Sequence, residues 1–357
     1  MNYPPITLDF IRALTDDTGM LQHSKFITPK RTDGYTTDDN ARALIALTKY
    51  QQTYRAENVD RLLDTYLSFL LLMQENNGKM HNLLSYDQRF IDDEGSGDCM
   101  GRTLWSCGYV VESNLSLERR LLAKEIFDKL LPWTVKFNSP RSVAFAVMGL
   151  ARYQNAFRED PNPAENIQLL VEKLLRNYEA HRSQRWRWFE PYITYSNARL
   201  PQALLEANKI TPHQKYLKTA LESLDFLLEV QTINNVFVPI GNHGWYEKDG
   251  MRAEYDQQPV EAAAMTEAIL SAYSATSQSS YWEAAKRVFN WFFGENTLKT
   301  AVYNADIGGC YDGITSQGLN LNMGAESLVC YLSARLEFEA QKSRSGLRLP
   351  LGQLMKG

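Results

Sequence analysis

Carboxylic acids stand before several long apolar stretches of this chain. Asp38 and Asp39 precede ARALIALTKY, Asp98 precedes an apolar stretch that begins at Arg102, and Asp256 precedes PVEAAAMTEAIL. A carboxylic acid can donate a proton or, once ionised, act as a base or nucleophile, so two of them in one cavity can perform acid and base chemistry. Each aspartate alone also suits a helix N-cap or first turn, so only their recurrence points to a shared site.

Six polar clusters recur in this position, each running directly into an apolar helical stretch. They are residues 37–42, 98–102, 139–141, 195–199, 257–261 and 322–326. Four of the six contain an arginine, and a charge at the start of an otherwise buried helix needs a partner or a wet cavity. We therefore expect the six helix starts to meet on one face and form a single site.

Two kinds of helix alternate along the chain. One kind is apolar nearly all round, as in SVAFAVMGLA, and the other has one apolar stripe, as in LERRLLAKEIFDKLL. A helix of the first kind must be covered on most sides, whereas a striped helix lies at the surface. The alternation predicts an all-α fold of two concentric rings, an (α/α)6 toroid of six helical hairpins with long irregular loops on the active face. An open α-solenoid is the alternative, but its repeats are more regular and its loops shorter.

The length suffices for two average domains or for one large toroid or barrel, and the helix pattern favours the single toroid. We expect a single toroid domain over residues 1–340 of the 357 and a loosely ordered C-terminal tail over residues 341–357. A net charge of −4 without a Lys/Arg run argues against a nucleic-acid partner. The longest apolar run, residues 66–73, is too short to span a membrane, and the N-terminus lacks a secretory signal pattern. Four cysteines without CxxC spacing are typical of reduced thiols in a cytoplasmic protein.

No pattern indicates a metal ion or cofactor. The five histidines form no HxH or HExxH motif, and no His/Cys ligand spacing is present. The chain also lacks a P-loop, a GxSxG motif and a GxGxxG followed by an acidic partner. We therefore expect neither a metal nor a cofactor.

Aromatic residues accompany polar ones in the predicted loops. WRWFE places Trp186 and Trp188 beside Glu190, and GNHGWYE places His243 beside Trp245. Aromatic faces beside carboxylates and Asn, Gln or His donors suit a sugar ring and its hydroxyls; packing at the rim is the alternative for the two tryptophans. The predicted substrate-binding residues are Arg42, His81, Tyr86, Arg102, Trp188, Asn197, Arg199, His243, Trp245, Gln257, Gln258, Glu261 and Glu326.

Several long motifs together resemble a poorly characterised bacterial family. They are GKMHNLLSYDQRF with GSGDCMGRTLWSCG, WRWFEPYITYSNARLPQALLEA, FVPIGNHGWYEKDG with YDQQPVEAAAM, and GGCYDGI with NMGAESL, and the resemblance covers residues 30–338. Members occur alone or attached to glycosyltransferase-like domains, and often beside mannoside phosphorylases.

This family is similar to the six-hairpin glycosidase group. The resemblance therefore implies an (α/α)6 toroid, an oligosaccharide or sugar ligand that includes mannose, and a glycosyltransferase as a partner, but no particular reaction. In one place the chain departs from the family. Where the family has an acidic-Ser-His type of sequence, Asp98 is followed here by Cys99, Met100 and Gly101, so no histidine role carries over.

Three functions fit these observations. Glycoside hydrolysis needs one carboxyl as acid and another as base or nucleophile; we expect Asp98 paired with Asp256, and then Glu190 and Asp39, as catalytic residues. Epimerisation or isomerisation of a sugar would use histidines for proton transfer, here His81 and His243, and this alternative fails if both lie outside the cavity. The third function is that of a non-catalytic glycan-binding partner of a glycosyltransferase.

Overall fold

Helices dominate the structure. The computed structural model describes residues 3–54 and 58–344, and within these ranges the chain forms twelve α-helices. In chain order they are α1 (Asp9–Leu14), α2 (Thr37–Thr53), α3 (Asp60–Met73), α4 (Gly97–Glu112), α5 (Leu117–Leu130), α6 (Pro140–Ala156), α7 (Pro161–His181), α8 (Arg199–Ile210), α9 (Gln214–Val230), α10 (Pro259–Thr276), α11 (Ser279–Phe289) and α12 (Ala325–Arg344).

The even-numbered helices form a closed inner ring. Each contacts the next even-numbered helix, and α12 contacts α2, which closes the circle. The odd-numbered helices lie outside, each against the inner helix that precedes it, while α1 packs on α12 as the sixth outer member. The structure confirms the predicted (α/α)6 toroid, because an open solenoid would leave α2 and α12 apart.

The residue patterns explain which helices lie inside. In α6 every residue over 141–151 is buried. In α5 only Ala123, Ile126, Phe127 and Leu130 are buried, a single stripe at helical spacing. Where α4 crosses α6, a Cβ on Gly108 would lie 2.4 Å from the carbonyl oxygen of Gly149, so only glycine permits this close approach.

Short strands shape the loops between the rings. The six antiparallel pairs are β1 (Ser24–Lys25) with β2 (Thr28–Pro29), β3 (Tyr35–Thr36) with β4 (Leu83–Leu84), β5 (Tyr192–Ile193) with β8 (Tyr246–Glu247), β6 (Thr232–Ile233) with β7 (Val236–Phe237), β9 (Tyr303–Asn304) with β10 (Gly309–Cys310), and β11 (Gly313–Thr315) with β12 (Gly318–Asn320). Several of these pairs join segments from different hairpins, such as β3 with β4 and β5 with β8, and so tie neighbouring loops together.

The last helix extends beyond the predicted domain boundary at residue 340. Helix α12 continues to Arg344, so the first four residues of the predicted tail, 341–344, are helical, and residues 345–357 lie outside the described part of the chain. Across the described ranges, no helix has the length and apolar character needed to cross a membrane. All four cysteines are buried and unpaired.

A buried ion network lies in the ring below the helix starts. Glu267 of α10 accepts hydrogen bonds from Arg199 Nη1 at 2.5 Å and from Ser333 Oγ at 2.5 Å, and it lies 3.3 Å from Lys49 Nζ. Burial alone would raise the pKa of Glu267, but Arg199 and Lys49 reverse this and lower it to about 2. Four helices of the inner ring are thereby joined by one carboxylate.

Glu267→Gln should therefore lower the free energy of unfolding by about 3–5 kcal/mol, because the buried Arg199 loses its counter-charge and Lys49 keeps only Glu337, 3.1 Å away. The folded-state pKa is depressed, so this stabilisation is complete above the ordinary glutamate pKa and is lost as pH falls toward 2. Urea unfolding at pH 7 and at lower pH values measures both effects. The control is Glu283→Gln, whose side chain is 62% exposed beside Lys286 and should change stability by less than about 1 kcal/mol. Equal losses in the two variants would contradict the prediction.

Candidate functional site

The starts of the inner helices are joined by side chains in ring order. Helix N-termini carry unpaired N–H groups and partial positive charge, which favour buried carboxylates, and these carboxylates in turn compensate the arginines. The contacts are Arg42 Nη1 to Glu326 Oε2 at 2.7 Å, Arg102 Nη1 to Asp38 Oδ1 at 3.0 Å, Ser142 Oγ to Asp98 Oδ1 at 2.6 Å, Arg141 Nη2 to Asn197 Oδ1 at 3.1 Å and Asn197 Nδ2 to Glu261 Oε2 at 2.8 Å.

A cavity of about 410 Å³ opens above the starts of α2, α10 and α12. Its lining is strongly polar and includes five carboxylic acids from four separate segments. The lining residues are Gln22, His23, Thr36, Asp38, Asp39, Arg42, Asn82, Leu83, Asn242, Asp256, Gln258, Asp312, Gly313, Thr315, Asn320, Gly324, Glu326 and Ser327. We call this space the carboxylate cavity.

The aspartates at the starts of α2 and α4 and ahead of α10 are not the N-caps of these helices. Thr36 caps α2 and Ser96 caps α4, each by accepting a backbone N–H through its hydroxyl. Asp256 lies two residues ahead of Gln258, the N-cap of α10. The N-cap interpretation is therefore wrong for these positions, whereas the first-turn interpretation is confirmed for Asp38, Asp39 and Asp98. Their carboxylates are available for contacts between side chains.

Asp39, Arg42 and Glu326 form a chain of ion pairs at one wall. Arg42 Nη2 lies 2.7 Å from Asp39 Oδ1, and the second oxygen of Asp39 accepts the Thr36 hydroxyl at 2.7 Å. Both Asp39 oxygens are thus occupied. Burial would raise the pKa of Glu326, but Arg42 outweighs it and lowers the pKa, so Glu326 stays ionised while its side chain remains 42% exposed.

Asp312 is bonded to the start of α12, beside Glu326. Its Oδ1 accepts the Gly324 N–H at 2.6 Å and the Ser327 hydroxyl at 2.8 Å. Burial raises the pKa of Asp312 despite these two hydrogen bonds and the nearby His23. No described residue bonds its Oδ2, and Asp312 lines the cavity.

Asp256 is the least constrained carboxylate of the lining. Its backbone carbonyl accepts the Asn242 N–H at 3.0 Å, which fixes the main chain. Within residues 3–54 and 58–344, its side chain takes part in no hydrogen bond or ion pair, and it is only partly buried. A carboxylate held by its backbone and free at its oxygens can contact a ligand directly.

Asp98 lies outside the lining of the carboxylate cavity and links other groups. Its Oδ1 accepts the Ser142 hydroxyl, its Oδ2 accepts the Tyr195 hydroxyl at 2.8 Å, and Arg102 lies 4.0 Å away. These contacts tie α4 to α6 and to the loop before α8. The predicted pairing of Asp98 with Asp256 stays a prediction.

A second cavity of about 630 Å³ lies on the α6 and α8 side of the same face. Glu190 lines it but is paired with Arg141 at 2.6 Å. The full lining is Asn138, Ser139, Pro140, Arg141, Glu190, Tyr192, Thr194, Tyr195, Gly244, Trp245 and Glu247. We call it the aromatic cavity, and it contains two predicted site residues, Glu190 and Trp245.

The two histidines predicted for proton transfer lie outside both linings. His81 stacks on Phe90 with ring centroids 4.1 Å apart, and its Nδ1 lies 2.9 Å from the Asp92 carbonyl oxygen. His243 is exposed in the turn before β8. Tyr86, also predicted as a binding residue, is on the surface, where its hydroxyl accepts Arg31 Nε at 3.1 Å. None of these three predicted residues lines the carboxylate cavity or the second cavity.

Some predicted binding residues are structural instead. Trp188 is fully buried and forms a T-shaped contact with Phe189, so it packs in the core rather than at the rim and has no exposed face on which a sugar could stack. Arg199 lies in the buried network with Glu267. Gln257 is buried, donating to the Glu254 carbonyl at 3.1 Å. All three side chains are buried, so none of them is exposed to a ligand.

Three further predicted residues support the floor of the site. Arg102 is buried between Asp38 and the ring of Phe145, whose centroid lies 4.4 Å from the guanidinium carbon. Asn197 and Glu261 are buried and bonded to each other, and burial raises the pKa of Glu261. The predicted residues that reach the carboxylate cavity are Asp39, Arg42, Asp256, Gln258 and Glu326.

Asp312 and His23 are the main residues that sequence reasoning missed. Asp312 is inside the motif GGCYDGI, where the acidic residue was the available signal. His23 comes from the polar segment before α2. That segment is fastened to the start of α12 by the Ser24 hydroxyl bonding the Met323 carbonyl at 2.6 Å, a contact across the whole chain that no local pattern indicates.

Comparison with known proteins identifies the fold. Neither a family model nor a curated protein sequence matches the chain. Cellobiose 2-epimerase from Bacillus thermoamylovorans is similar in structure, with 12% identity, a TM-score of 0.74 and coverage of 95% of this chain and 96% of that one. A D-mannose isomerase is similar with 14% identity, a TM-score of 0.74 and coverage of 94% of both chains.

A third similar structure is an inactive variant of an α-1,6-mannanase from Salegentibacter sp., with two adjacent aspartates replaced and α-1,6-mannotetrose bound. It has 12% identity, a TM-score of 0.65 and coverage of 93% of this chain and 96% of that one. At such identities the likeness concerns the fold alone. The chain adopts the (α/α)6 toroid that these epimerase, isomerase and mannanase structures share.

Proposed function

We propose that the protein hydrolyses a glycosidic bond of an oligosaccharide, with mannose-containing chains as the first class to test. One observation carries the proposal: two carboxyls in different environments line the same cavity, Asp256 without a side-chain partner in the described residues and Asp312 with a pKa that burial raises. Hydrolysis requires this difference between two carboxyls, one protonated as acid and one ionised as base or nucleophile.

Asp312 is the general acid in this scheme. Its raised pKa keeps a proton available at a pH where an ordinary aspartate has lost it. The proton passes from Asp312 to the glycosidic oxygen as the bond to the sugar breaks. Gly324 and Ser327 hold the carboxyl group in one orientation during that transfer.

Asp256 is the second carboxyl of this scheme. It either takes a proton from the attacking water as a base or attacks the sugar itself as a nucleophile. The ionised Glu326, fixed by Arg42, stabilises the positive charge that develops on the sugar ring. Amide groups of Asn82, Asn242 and Gln258 supply hydrogen bonds for hydroxyls.

The similar mannanase supports carboxylate chemistry on this fold, since its inactive variant lacks two adjacent aspartates. This chain also has two adjacent aspartates in its cavity, Asp38 and Asp39. Here they are bonded to Arg102 and to Arg42, which leaves Asp256 and Asp312 as the carboxyls better able to react.

Sugar epimerisation or isomerisation through His81 and His243 is dropped, because both lie outside the two cavities, but the same chemistry with another histidine is the second candidate. The observation that favours it is His23, which lines the carboxylate cavity close to Asp312 and Glu326; two similar structures are an epimerase and an isomerase. A lone histidine provides one proton-transfer group, whereas the cavity provides several carboxyls. A non-catalytic glycan-binding partner of a glycosyltransferase is the remaining alternative.

A product screen separates the three functions. The protein is incubated with manno- and gluco-oligosaccharides, with and without phosphate, and the products are separated by chromatography. Hydrolysis yields shorter sugars without need of phosphate, and the yield falls in Asp256→Asn. A product of unchanged length that disappears in His23→Ala, but persists in His243→Ala, would establish isomerisation. Binding without any product would leave the glycan-binding function.

A further inference from the structure

We propose that the aromatic cavity is a second sugar-binding subsite, which takes further units of an oligosaccharide whose reacting unit occupies the carboxylate cavity. The ligand class is a neutral manno- or gluco-oligosaccharide of more than two units. The location of the reacting unit rests on the proposed function, whereas binding in the aromatic cavity can be measured without turnover.

Three large aromatic side chains surround this cavity while remaining accessible. Tyr192 is 42% exposed, Tyr195 is 38% exposed and Trp245 is 42% exposed. Apolar surface gathered around a concave site marks a binding surface rather than ordinary scatter. Flat rings beside the polar groups of Glu190, Thr194 and Glu247 can stack on the C–H faces of a sugar while its hydroxyls are bonded at the edge.

The aromatic rings are held in position by the loops that carry them. The Tyr195 hydroxyl donates to Asp98 Oδ2 at 2.8 Å, and the Arg141 guanidinium carbon lies 4.8 Å from the centre of its ring. Tyr192 belongs to β5, where it pairs with Glu247 of β8. Rings that are already ordered lose little freedom when a ligand binds, which favours affinity.

Trp245 is placed by an unusual backbone conformation. Its φ is +55°, in the left-handed region that a bulky residue rarely adopts. The Gly241 carbonyl accepts its N–H at 3.1 Å, and its own carbonyl accepts the Ala253 N–H at 2.7 Å. Such strain concentrates at binding sites, and here it keeps the indole at the cavity rather than packed against the core.

One turn joins the two cavities. Asn242 lines the carboxylate cavity, while Gly244 and Trp245 lie two and three residues later and line the aromatic cavity. A ligand that passes over this turn therefore reaches both. Asp98 is a positioning residue in this arrangement. It accepts the Tyr195 hydroxyl of the aromatic cavity and lies 4.0 Å from Arg102, in the floor of the site.

The test measures binding in the Asp256→Asn background, where slow turnover does not consume the ligand. Isothermal titration calorimetry compares two pairs of ligands, each a disaccharide and its tetraose: α-1,6-mannobiose with α-1,6-mannotetraose, and cellobiose with cellotetraose. We expect one tetraose to bind more tightly than its disaccharide, and Trp245→Ala to weaken tetraose binding about tenfold with a smaller effect on the disaccharide. Trp245→Phe should recover most of the affinity, and Tyr192→Ala should weaken the tetraose in the same direction.

Met251→Ala is the matched control, because Met251 is in the same loop, is 93% exposed and lines neither cavity. The proposal is overturned if neither tetraose binds, or if Trp245→Ala binds the tetraose as tightly as Met251→Ala does. If Trp245→Ala loses tetraose affinity but the wild-type protein never shortens the ligand, the subsite stands and hydrolysis fails.

Discussion

Asp312→Asn is expected to lower kcat/KM on the oligosaccharide by about 10²–10⁴-fold, the usual contribution of a general acid. An asparagine can still accept the Gly324 N–H and the Ser327 hydroxyl through Oδ1, so the loop should keep its conformation. The loss should shrink on an aryl glycoside with a good leaving group, because such a group departs without a proton. Initial rates on the two substrates measure this difference.

The pH profile gives a second readout of the same residue. Because burial raises the pKa of Asp312, the acid is active below that pKa, and kcat/KM falls as pH rises through it. This alkaline limb should lie above the range of an ordinary aspartate and should be absent in Asp312→Asn. Asp306→Asn is the control, an exposed aspartate in the loop before β10. Equal losses on both substrates with an unchanged pH profile would contradict the acid role.

Local patterns were sufficient to predict the ring. Helices such as α6, apolar on every side, alternate with striped helices such as α5, and an inner and an outer ring satisfy both. The unequal repeats and long loops disfavoured an open solenoid. The polar helix starts were also visible, which is why Arg42, Glu326 and Asp256 were expected at the site. The N-cap positions could not be predicted from the sequence, since Thr36 and Asp38 are both suitable N-caps by residue type.

The remaining parts of the site depend on contacts distant in sequence. Asp312 reaches the cavity because Gly324 and Ser327, at the start of α12, hold its carboxyl. His23 reaches it because its segment pairs with that same helix start. Conversely, Trp188 has a neighbourhood in sequence typical of a sugar site but points into the core. Residue type identified candidates, and only three-dimensional packing separated the exposed ones from the buried ones.

Asp256→Asn is expected to reduce kcat by about 10³-fold or more, because it removes the base or nucleophile while leaving the acid in place. Little structural damage should accompany this loss, since the Asp256 side chain has no partner in the described residues and its backbone bond from Asn242 is retained. Kinetics and the thermal unfolding midpoint are compared with those of Glu254→Gln, an exposed carboxylate two residues away. A midpoint that drops only in Asp256→Asn would indicate a structural role instead.

The anomeric form of the first product then decides what Asp256 does. If nuclear magnetic resonance shows retention, Asp256 is the nucleophile, and a 2-deoxy-2-fluoro glycoside with a good leaving group should attach to it covalently, as peptide mass spectrometry would reveal. If the product is inverted, no label should form and Asp256 acts as the base on water. A label on Asp98 instead would mean that Asp98, which is bonded to Ser142 and Tyr195 in this structure, moves toward the sugar when the ligand binds. The catalytic pair would then be Asp98 with Asp256, as the sequence predicted, rather than Asp312 with Asp256.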